Sequence, residues 1–86
     1  MHEAALMRDL MRKILDVASQ QGASRVVSLS VRLGALSHMN AAHFAEHFAQ
    51  AAAGTIAAGA TIHAQVETNI QSSSACDVIL ESVEVT

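Results

Sequence analysis

Apolar residues recur at helical spacing from Ala4 to Gln20: Leu6, Leu10, Ile14 and then Val17 or Ala18, widened by Met7, Met11 and Leu15. Arg8, Asp9, Arg12, Lys13, Asp16 and Gln20 fill the opposite side, so this stretch predicts an amphipathic helix. Gly22 is its stop, because glycine adopts the left-handed conformation at a helix end with little cost. From Arg25 to Leu33 the period drops to two. Val27, Leu29, Val31 and Leu33 share one side, and Ser28, Ser30 and Arg32 the other, which predicts a half-buried strand. Asn40 is an N-cap for a second helix, Ala41 to Ala53, carrying Phe44 and Phe48 one turn apart with Ala41, Ala45, Ala51 and Ala52 nearby. Gly54 is the next stop signal.

A second strand reads Ala60 to Glu67, with Ile62, Ala64 and Val66 inward and Thr61, His63, Gln65 and Glu67 outward. Residues 69–76, with three consecutive serines, form a short polar linker. A third strand, Asp77 to Val85, offers Ile79, Val83 and Val85 to one face, where Glu81 also falls; Val78 and Leu80 point the other way. The order is therefore α-β-α-β-β. Clean alternation in the first two strands leaves one sheet face in water, so both helices should cover the other. The expected fold is α/β of the two-layer α+β kind, a three-stranded mixed sheet with both helices on one face. A right-handed crossover is expected if the first two strands are parallel; strand order does not follow from the pattern.

Composition narrows the function. The chain has 86 residues, enough for a single domain spanning 1–86. Its 51% hydrophobic content excludes a disordered chain, yet only Phe44 and Phe48 are aromatic, so the core is thin. A net charge of −3, with no basic cluster beyond Arg12-Lys13, argues against nucleic-acid binding, which needs a basic face to displace counterions. No apolar run is long enough for a membrane span, and the first residues lack a basic-then-apolar signal pattern. With one cysteine, Cys76, there is no internal disulfide and no all-cysteine zinc site; a reduced, cytoplasmic setting is the expectation.

The opening Met1-His2-Glu3 is a chelate if Met1 is the true start. The Met1 amine, the His2 amide nitrogen and the His2 imidazole Nδ1 can hold one ion through two low-strain rings. The Glu3 amide, another histidine or water can complete the plane, and the Glu3 carboxylate can add an axial oxygen. Planar nitrogen donors select Ni(II) or Cu(II) over tetrahedral Zn(II). Because the amine and amide must release protons, affinity should fall in acid. The competing explanation is a frayed chain end that binds nothing.

The tripeptide opens an amphipathic helix, and the first strand ends in Val31-Arg32-Leu33-Gly34-Ala35-Leu36-Ser37. A helix containing Phe44 follows, closing on Gly54-Thr55 and leading into Gly59-Ala60. These features, over about residues 1–67 and again in Leu80 to Val85, resemble the HypA/HybF family, nickel metallochaperones for [NiFe] hydrogenase and, in some organisms, urease. The resemblance implies Ni(II) held by Met1, His2 and Glu3, docking to the GTPase HypB, and delivery to the hydrogenase large subunit. Members of that family usually insert a zinc domain with two Cys-x-x-Cys pairs between the last two strands. Here only residues 69–76 occupy that place, so no structural zinc is expected. The chain is either a naturally shortened relative or one from which the domain has been excised. Asn40 stands where some relatives carry an acid near the nickel site, and an amide is a poorer ligand.

His43-Phe44-Ala45-Glu46-His47 matches the H-x-x-E-H pattern of inverted zinc metallopeptidases, and both histidines face the same way on a helix. A helix of about three turns in so small a chain leaves little for a third ligand or a substrate cleft, so catalysis is the weaker reading. In the intermediate reading, His38, His43 or His47 extends the nickel site or forms a second one. In the plainest reading they are a solvated helix face, as His63 is on its strand. Met7 and Met11 read as core filler, Met39 as a staple on the second helix, and Cys76 as a packed or exposed thiol. Two functions follow: a non-enzymatic nickel carrier, or a metal-free regulatory paralogue that binds the maturation GTPase or a hydrogenase subunit. The exposed edge of the third strand offers a route to a homodimer.

Overall fold

The computed structural model describes residues 3–37, 39–73 and 75–86, with the side chains of residues 3 and 4 outside that description. The elements follow the expected order: α1 (Glu3–Gln20), β1 (Val26–Leu33), α2 (Ala41–Ala52), β2 (Thr61–Val66) and β3 (Val78–Val85). The three strands form one mixed sheet in the order β2-β1-β3, β1 lying parallel to β2 and antiparallel to β3. Both helices pack on the same face. Met7, Leu10, Met11, Ile14 and Ala18 of α1, Phe44, Phe48 and Ala52 of α2, and the apolar side of β1 make one buried cluster. The aromatic pair Phe44–Phe48 is stacked, with ring centroids 6.2 Å apart.

Local chemistry explains the ends of α1 and α2. Gly22 has φ 63°; its N–H donates to Ser19 O, and that of Ala23 to Ala18 O, a paired closure that satisfies carbonyls at the end of α1. Ala18 rather than Val17 continues the buried stripe. At the start of α2, Asn40 Oδ1 accepts from the His43 N–H at 2.7 Å, the expected cap. Met39 is buried in the same cluster as Phe44, five residues further on, as a staple would be.

The alternation expected for β1 and β3 is broken twice, and the breaks are complementary. Val26 pairs with Val85 and Ser28 with Glu84, so Val27 is an extra residue on β1. That bulge turns Val26 inward (1% exposed) and Val27 outward (43%), reversing the expected facing of Val27. On β3, Ser82 pairs with Ser30 and Leu80 with Val31, leaving Glu81 as the extra residue. Val78, Leu80, Val83 and Val85 consequently all pack on the core, whereas Ile79 stands opposite Arg32 on the outer face. The inward assignment of Ile79 is therefore corrected, and the bulge spares Glu81 a place in the core. Val66 shares the register face of Leu33 but remains 46% exposed at the end of an edge strand.

The outer face is polar. Ser28 Oγ donates to a Glu84 carboxylate oxygen, and Arg32 pairs with the bulged Glu81 and, at 3.4 Å, with Glu67. His63 is exposed opposite Ser30. The connection 67–77 passes over the carboxyl end of β1, where Gly34 N donates to Asp77 O and Leu36 N to Ala75 O. Cys76 on it is exposed.

The bulge makes a sharp prediction. Val26→Ala should cost about 2 kcal/mol, since it empties a buried valine site, and Val27→Ala should stay within about 0.5 kcal/mol. Urea unfolding of the two variants measures both; equal costs would mean that the strand alternates without interruption.

Candidate metal centre

The topology gathers several chain segments at one end of the sheet. The turn at residues 21–25 sends α1 back into β1, and residues 34–40 send β1 back into α2. Both helices therefore run against β1, and side by side in the same sense. The start of α1 lies at the end of β1, as the cleft shared by Leu6, Asp77 and Val78 also requires. The start of α2 lies there too, directly after the turn in which Ser37 N and Oγ both donate to Gly34 O, at 3.0 and 2.7 Å. The start of α2 thus comes to the same end of the sheet as that of α1.

Some of the expected site residues lie among the described residues and others do not. Glu3 is the first residue of α1; its side chain, with Met1, His2 and His38, lies outside the described residues. Asn40 caps α2, its Oδ1 accepting from the His43 N–H. His43 and His47 are half-buried and turned toward each other, Nε2 to Nε2 at 2.8 Å, with ring centroids 4.5 Å apart. His47 also lines a groove with Met7, Arg8, Met11 and Arg12 of α1. One turn of helix before it, His43 lies nearer the level at which α1 begins. Arg12 is tied to Asp9 at 2.7 Å. His63 is exposed on β2, where it lines a separate cleft with Ala41 and Ala45 of α2 and Glu81 of β3.

Chemically, the end offers one pair of imidazoles turned toward each other, one of them facing α1, whose first residue, Glu3, is a candidate ligand. Among the described residues no group of three His, Cys, Asp or Glu side chains converges on one point. The third ligand that the H-x-x-E-H reading needs for zinc is therefore missing among them. The i, i+4 spacing of His43 and His47 was legible in the chain, but the neighbourhood of His47 with Met7 and Arg8 was not, because it depends on how two helices lie together. Among the described residues, no helix is long and apolar enough to cross a membrane.

The model of the HypA family, described as hydrogenase/urease nickel incorporation, metallochaperone, matches residues 1–85. No curated protein matches the chain.

The cap gives a test of how α2 is held. Asn40→Ala should cost about 1 kcal/mol of stability, and Asn40→Asp should retain the cap, because a carboxylate also accepts from the His43 N–H and is favoured at a helix start. Thermal unfolding of the two variants distinguishes them; equal losses would deny the cap its role.

Proposed function

Starting from a chain that belongs to the HypA family of hydrogenase/urease nickel incorporation metallochaperones, we propose that it captures Ni(II) through Met1, His2 and Glu3. The ion is cargo: it is taken up at an accessible terminal chelate and released when a partner supplies better ligands. A family match beginning at residue 1, on a helix that begins at Glu3, is the observation that carries this reading.

The start of α1 suits the chemistry. Planar binding needs the His2 amide to lose its proton, which leaves an anionic nitrogen at the head of a helix. The macrodipole favours negative charge at that end by about 0.3–1 kcal/mol, and it also favours the Glu3 carboxylate. The same dipole opposes the bare doubly charged ion by about twice as much. Two anionic donors balance that opposition, and a neutral donor set would not. Ligand deprotonation also makes uptake pH-dependent, with affinity falling as acid returns the protons.

Residues 1–86 act in this reading as one nickel-binding domain, with 69–76 as a short linker and no zinc requirement. The carrier works in the cytoplasm, docks on a HypB-type GTPase, and passes nickel toward a hydrogenase large subunit or another nickel enzyme. It performs no catalysis of its own.

Substituting His2→Ala removes the imidazole and with it the six-membered ring of the chelate. Calorimetry with Ni(II) at neutral pH should then show the tight equivalent lost, together with the weak visible band of four-coordinate diamagnetic nickel. Undiminished binding by the His2→Ala protein would refute terminal capture. Absence of any nickel binding by the unaltered protein would instead favour a metal-free interaction module.

A further inference from the structure

We infer that His43 and His47 form a second, two-imidazole holding site for the same class of divalent ion, beside the terminal chelate and separate from it. The inference rests on the nickel-carrying reading for the identity of the ion, but its geometry stands apart from that reading.

Three observations carry it. First, the atoms that meet are the two Nε2 nitrogens, at 2.8 Å. Metal–imidazole bonds of about 2.0–2.1 Å at a right angle put cis nitrogens about 2.9 Å apart, so the pair already spans one edge of a planar or octahedral shell. Tetrahedral zinc would need the rings to spread further. Second, both rings are half-buried on one helix, and the Asn40 cap holds the backbone of His43 at 2.7 Å. Much of the ordering that a bidentate ligand must undergo is therefore already present. Third, His47 faces the α1 groove at Met7 and Arg8, while His43 lies a turn closer to where α1 starts.

Charge sets which side of the pair the ion occupies. Arg8 and Arg12 line the groove on the His47 side and repel a cation, though Arg12 is partly neutralised by Asp9. The ion therefore sits on the His43 side, toward the first turn of α1. Two imidazoles and water hold nickel more weakly than an amine, an amide anion and an imidazole together. The difference suits a staging position, from which an ion moves onto or off the terminal chelate without leaving this end of the molecule.

Calorimetry with Ni(II) on four full-length proteins tests this: the unaltered chain, His2→Ala, His43→Gln/His47→Gln, and the two changes combined. The unaltered chain should bind two equivalents, one tight and one weaker. The His2→Ala chain should keep only the weaker one, the double-glutamine chain only the tight one, and the combination neither. His47→Gln alone should weaken the second equivalent by about tenfold or more, because bidentate binding is lost. Urea midpoints of the glutamine variants check that α2 remains folded.

If the His2→Ala chain binds no nickel, the imidazole pair is only a ring-to-ring hydrogen bond and the inference fails, while terminal capture stands. If the unaltered chain binds a single equivalent that either change weakens, the imidazoles share the terminal ion and a separate site is refuted. If the His2→Ala chain keeps both equivalents, terminal capture fails, and the imidazole site stands where the double-glutamine chain loses one equivalent and falls where it loses none.

Discussion

Everything in this molecule turns on the burial of the apolar side of β1 beneath both helices. Val26, Leu29, Val31 and Leu33 are each at most 1% exposed. A strand paired on both edges and covered on one face has nowhere else to put these side chains. That requirement forces α1 and α2 onto one face and, with short turns before and after β1, makes both run against it. The starts of the two helices then have to meet at the same end of the sheet. A candidate metal site assembled from helix starts is thus a consequence of how one strand is buried.

The two bulges serve the same constraint. A strict alternation in β3 would place Glu81 among the core-facing residues or strand Val83 and Val85 on the wrong side. Skipping Glu81 resets the phase, so that Leu80 and Val83 both face the helices, and it brings the Glu81 carboxylate to Arg32 on the wet face. Val27 performs the matching correction on β1. Such exposed ion pairs add little stability; the gain lies in the apolar residues that the altered register allows to be buried.

A carrier must bind its cargo firmly and still let it go. The proposed Met1-His2-Glu3 chelate suits that need better than an enclosed cage, since it forms without opening the core. The core itself is the sheet with its two helices. The proposed imidazole site on α2 follows the same logic, with nitrogen ligands on a helix outside that core. Family membership supplies the cargo; the fold supplies the neighbourhood.

Much was legible along the chain because it is written in short-range periodicity: five elements in order, the Gly22 stop, the Asn40 cap, the polar outer face, and the His43/His47 spacing. The motifs at Met1-His2-Glu3 and Gly34-Ala35-Leu36-Ser37 were enough to indicate the family. The facing of Val27 and Ile79 was not legible, since a bulge is set by pairing with a distant strand and leaves no mark in local alternation. Strand order was likewise hidden, because β3 reaches the far edge of β1 only through the passage of residues 67–77. The meeting of His47 with Met7 and Arg8, and of two helix starts at one end, depends on packing between segments some forty residues apart. Periodicity reports which side of an element is buried; only the assembled chain reports what it is buried against.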